Sequence, residues 1–144
     1  MLRLLLIHMD NDNSTNTIVE VLAKELITYG YKVKVSHLLD KDVIDADLVI
    51  GIHSNNSGEV LIVKDDKSYS KSGRLACSVA MKLLEYYNCT ILSNKEIGRS
   101  FTCLFTRTKA IPTMVFMYGS HRDKDNEVYA SLLADALKQL KNYL

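Results

Sequence analysis

Three short apolar runs, residues 2–8, 46–53 and 113–118, constrain what this chain can fold into more than any other feature. Each is nearly continuous rather than alternating, the pattern of a strand covered on both faces. Segments of helical spacing separate them. Ile18, Leu22 and Leu26 recur after a polar loop, with Ser14 or Thr15 as the expected cap and Gly30 as the stop. Leu75, Val79, Leu83 and Tyr87 mark a second helix starting near Ser70 or Ser72. Leu133, Leu137 and Leu140 mark a last one from about Glu127 onward. Residues 31–35 complete a right-handed parallel strand–helix–strand unit, and 59–63, 89–92 and 101–105 read as further strands. This alternation predicts one α/β domain over residues 1–144, a three-layer sandwich with a mixed, mostly parallel sheet.

Composition narrows the function classes. With 47% apolar and 24% charged residues, the chain can bury a full core, and 144 residues suit one domain. Eighteen basic against seventeen acidic residues give no electrostatic reason to expect nucleic acid or an anionic membrane as partner. Nothing is long enough to cross a bilayer, and the start MLRLLLIHMD lacks the features of a secretion signal. Cys77, Cys89 and Cys103 are widely spaced and odd in number, and read as reduced core thiols. A cytoplasmic protein without a signal peptide is expected, one that leaves the cell only by assisted release.

In open α/β sheets ligands sit beyond the carboxyl ends of the strands. His8 ends the first run, His53 the second, and Gly119 and Ser120 follow the third. Two imidazoles at neighbouring strand ends, with Asp10 or Asp12 from the loop after His8, would supply the three protein ligands of a catalytic zinc site. By spacing alone the plainer reading is that both histidines end buried strands by bonding loop carbonyls. Ser54, Asn55, Gly119 and Ser120 are small enough to leave room for a ligand there. His121, Arg122 and Asp123 either border that site or form an exposed loop.

The stretch NDNSTNT, residues 11–17, looks like the hydroxyl-rich phosphate loop of flavodoxins, which bind an anion at a helix start. Residues 54–58 cannot supply the helix a flavodoxin needs between its third and fourth strands. The chain also has no tryptophan to stack on a flavin. A plain helix cap is the better reading.

Several stretches carry a wider resemblance: ADLVIGIHSNN at 46–56, GEVLIVKDD after it, SKSGRLACSVAMKLL, and RSFTCLFTRTKAIPTMVFMYGS before the closing helix. In this order they resemble the type-3 family of zinc-dependent N-acetylmuramoyl-L-alanine amidases, bacterial and phage enzymes that cut peptide stems from peptidoglycan. There, two histidines and a glutamate hold zinc, and a second glutamate at the end of the last strand is the general base. His53 and His8 fall on the family's histidines. No glutamate falls on the metal-binding place, where Asp10 or Asp12 would substitute, and Met117 occupies the position of the catalytic glutamate. The resemblance implies a divergent amidase-like domain acting on peptidoglycan, a phage-lysin-like hydrolase in type, with zinc retained or lost. The alternative is a catalytically inactive protein of the same fold. It would bind a small anionic or glycan-derived ligand, or a protein partner.

Overall fold

A computed structural model describes residues 2–10, 12–37, 44–55, 57–119 and 123–140, the side chains of Asp123, Lys124 and Leu140 excepted. The predicted roles of Ser120, His121 and Arg122 lie outside these residues, as does the inward face of Leu140. Six strands, β1 (Arg3–His8), β2 (Lys32–His37), β3 (Leu48–Ser54), β4 (Val60–Lys64), β5 (Cys89–Ser93) and β6 (Thr113–Tyr118), form one sheet in the order β2-β1-β3-β6-β4-β5. The first four in that order run parallel, and β4 is antiparallel to β6. The fold is the mixed, mostly parallel α/β sandwich that the alternation of elements predicts.

The three apolar runs are the three central strands, and the sheet divides the core in two. On one face Leu4, Leu6, Ile50, Ile52 and Phe116 pack under the helices α1 (Asn13–Thr28), α2 (Lys71–Leu83) and α4 (Asp123–Leu140). On the other, Leu5, Ile7, Val49 and Val115 pack under the short α3 (Thr102–Arg107) through Phe101 and Leu104. Burying each such side chain contributes about 1.5–3 kcal/mol, which is why the strands read as unbroken rather than alternating.

Three expectations need correction. Residues 101–105 are not a strand: Thr102–Arg107 is helical. A five-residue apolar run does not distinguish the two, and burial of Phe101 and Leu104 on one side decides it. The cap of α1 is Asp12, whose carboxylate accepts from the Thr15 amide at 2.7 Å, and not Ser14 or Thr15. Ser70 does cap α2. The cysteines are free, but Cys77 and Cys103 are exposed and only Cys89 is half-buried, so they are not core thiols.

The link from β3 to β4 shapes the end of the sheet that matters here. β4 does not lie beside β3, because β6 runs between them. The chain crosses the exit of β6 at Gly58 and Glu59. A Cβ placed on Gly119 would lie 2.4 Å from the Gly58 carbonyl oxygen and 2.6 Å from the Glu59 carbonyl carbon. Only glycine lets the two backbones pass so closely. Gly58 itself takes a left-handed conformation, φ +81°, to make the turn.

Candidate functional site

β1, β3 and β6 are neighbours, and their carboxyl ends lie at one edge of the sheet. Two polar clusters form there. In the first, Asp10 accepts from His53 Nδ1 at 2.8 Å and from the Ser54 amide. A carboxylate can only accept, so Nδ1 is the donor in this contact. The ring meets Phe101 edge-on, centroids 5.6 Å apart. His53 pairs in register with Met117, whose thioether stands on the same face and can neither donate nor accept a catalytic proton.

The second cluster joins the start of α1 to the end of β6. The Tyr118 hydroxyl donates to Asp12 at 3.0 Å and lies 2.7 Å from the Thr15 hydroxyl. Burial pushes the Tyr118 hydroxyl up to about 12, and the Asp12 and Asp10 charges push the same way against the Thr15 bond. Burial works against the charge on Asp12. The Thr15 amide and hydroxyl, the Tyr118 hydroxyl and nearby His53 outweigh it and hold the carboxyl below the usual carboxylate range.

His8 belongs to neither cluster. The register aligns His8 with Ile52, one residue short of His53. Side chains of successive strand residues point to opposite faces, so His8 follows Leu4 and Leu6 onto the α1 face while His53 follows Val49 onto the α3 face. There His8 meets His37 of the edge strand, ring centroids 5.2 Å apart. Burial, then His37, lowers its basicity, and Glu20 acts in the opposite sense. Sequence reasoning did not single out His37. Its position at the end of the second strand was the available signal.

The expected zinc set of His8, His53 and Asp10 or Asp12 is therefore not assembled. Among the described residues no three His, Cys, Asp or Glu side chains converge as metal ligands. Asp10 is bonded to His53, Asp12 caps a helix, and His8 faces away. Among the described residues the donors present do not fit a three-ligand centre.

The small residues expected to leave room for a ligand are partly committed to the loop. The Asn55 amide group donates to the Glu59 carbonyl at 2.7 Å and its oxygen accepts from the Ser57 amide. Gly119 is filled by the crossing backbone. Ser54 reaches Asp10 through its backbone amide, and strand alternation turns its side chain to the face opposite His53. The site is an open edge, with His53 30% and Asp10 20% exposed. A groove of about 1170 Å³ along α2 and a cavity of about 250 Å³ beside β2 contain neither residue.

No family model matches the chain, and no curated protein does either. Among solved structures it is similar to the N-acetylmuramoyl-L-alanine amidase AmiC2 of Nostoc punctiforme, at 15% identity and a TM-score of 0.66, over 97% of both chains. A short-chain flavodoxin associated with a non-canonical PDU bacterial microcompartment, also 15% identical, gives a TM-score of 0.45 over 96% of this chain and 98% of that one. The chain thus has an amidase-like fold.

Proposed function

We propose that this chain binds peptidoglycan or a soluble fragment of it at the open edge formed by β1, β3 and β6, and does so without cleaving it. The observation that carries this reading is the Asp10–His53 contact. It occupies the carboxylate nearest to the only imidazole on that face among the described residues, while the other rim carboxylate, Asp12, is held by the Thr15 amide and the Tyr118 hydroxyl. Met117, beside His53, cannot replace one. Removing a general base typically lowers a rate by about two to four orders of magnitude. The described rim offers carboxylates and a serine hydroxyl, Asp10, Asp12 and Ser54, which suit the hydroxyl, amide and amino groups of a muropeptide better than an anion. No described helix is long and apolar enough to cross a membrane, which fits a ligand met in water.

A second reading, zinc-dependent amide hydrolysis, is supported by the amidase-like fold and by a histidine at the end of β3. One experiment separates them. Purified sacculi are incubated with the protein with and without added Zn²⁺, and soluble muropeptides are titrated by calorimetry. Binding weakened more than about tenfold by Asp10→Ala or His53→Ala, with sacculi intact in both conditions, supports the binding reading. Clearing of sacculi that a chelator stops overturns it in favour of hydrolysis. Absence of both sinks the assignment to peptidoglycan.

A further inference from the structure

The pairing of His8 with His37 does not belong to the edge described above, and it has the geometry of a different kind of site. We infer that these two imidazoles form a binding site for one divalent transition-metal ion, such as Zn²⁺ or Ni²⁺, with solvent completing its coordination.

Both residues end parallel neighbouring strands and pair in register, so their side chains leave the same face of the sheet side by side. Their ring centroids are 5.2 Å apart and the ring planes are tilted by 34°. A metal ion sits about 2.0–2.1 Å from an imidazole nitrogen, which is about 3.2 Å from the ring centroid. Two such rings at a tetrahedral angle have centroids about 5.2 Å apart, a value also inside the roughly 4.5–7 Å of ordinary ring contacts, so the spacing admits a shared ion and the second observation has to select it.

A second observation points the same way. His8 Nδ1 is buried and has no hydrogen-bond partner. A buried polar nitrogen left so is costly, and ligation through it removes the cost. Glu20, on α1, is close enough to act on the charge at His8 and offsets part of an ion's charge. Imidazole suits zinc, nickel and copper and is a poor ligand for magnesium or calcium, which sets the chemical class. His53 lies on the opposite face with its Nδ1 held by Asp10, so this site does not depend on the peptidoglycan reading and survives its failure.

The test uses the untagged full chain, freed of metal, titrated with ZnCl₂ and separately with NiCl₂ by calorimetry, with histidine ring resonances followed by NMR. One ion per chain is expected, with His8 and His37 resonances moving. Affinity should fall more than about tenfold in His37→Ala and stay within about twofold in His53→Ala. His37 is exposed, so its variant folds even if His8→Gln does not. Binding that survives His37→Ala, binding lost with His53→Ala or Asp10→Ala, or no saturable binding below about 1 mM would each overturn the inference.

Discussion

Removing the Asp10 carboxylate tests whether its contact with His53 ties the ends of β1 and β3 together. Asp10 accepts two hydrogen bonds, from His53 Nδ1 at 2.8 Å and from the Ser54 amide. A hydrogen bond to a charged group contributes about 1.5–3 kcal/mol when shielded, and an exposed ion pair less than about 1 kcal/mol. With side chains 20% and 30% exposed, the pair lies between these limits. Asp10→Ala should cost about 2–3 kcal/mol for the two bonds together. His53→Ala loses one of them and the edge contact with Phe101, about 2 kcal/mol in all. The double variant loses the shared bond only once, so the cycle should show a coupling of about 1 kcal/mol. Urea denaturation of the four proteins in chelator-treated buffer measures it. At a slope of about 2 kcal/mol per molar, Asp10→Ala moves the midpoint down by about 1 M. Coupling below about 0.3 kcal/mol would refute a direct contact. Coupling that appears only on adding Zn²⁺ would mean the two groups meet through a metal instead.

Gly119→Ala should destabilise the chain by about 1–3 kcal/mol, read by urea denaturation, because its Cβ would fall 2.4 Å from a backbone oxygen that has no flexible side chain to give way. An unchanged midpoint would mean the backbone at Gly58 and Glu59 gives way freely. Asp12→Ala should cost about 1 kcal/mol through the lost cap of α1, with reduced helix signal in circular dichroism on heating. Asp12 also sets a pH dependence. Its folded pKa lies below the ordinary aspartate value, so the stability it contributes is complete above that ordinary value and is lost as pH falls through the folded one. Urea midpoints from pH 6 down to pH 3 should therefore drop less steeply in Asp12→Asn. Burial pushes the Cys89 thiol up to about 11 while Cys77 and Cys103 are exposed. Iodoacetamide at pH 8 should therefore label the latter two and leave Cys89, about one part in a thousand thiolate, unmodified in the native protein.

Much of the architecture was legible in residue patterns. Thr113–Tyr118 is a strand with the same limits that its apolar run suggests, and α2 begins behind Ser70 as a serine before helical spacing implies. Residues 101–105 were not legible, because an isolated short run of apolar residues satisfies a strand and one helical turn alike. The cap of α1 lies two or three residues before Ser14 and Thr15. Asp12, Asn13, Ser14 and Thr15 are all competent caps, and only the bond to the Thr15 amide selects among them. The crossing of Gly58 over Gly119 depends on β6 inserting between β3 and β4, a pairing of segments some sixty residues apart.

By itself, the chain's residue order determined which segments are central strands, because burial on both faces demands unbroken apolar runs. It also determined that His8 and His53 stand at the carboxyl ends of two of them. Which way those histidines point was decided only when the strands paired. Side chains alternate with a period of two, so the single-residue offset that sets His8 beside Ile52 rather than His53 sends the rings to opposite faces. One partner is then Asp10 and the other His37, and no local pattern encodes that offset, which follows from how the whole sheet packs against its helices.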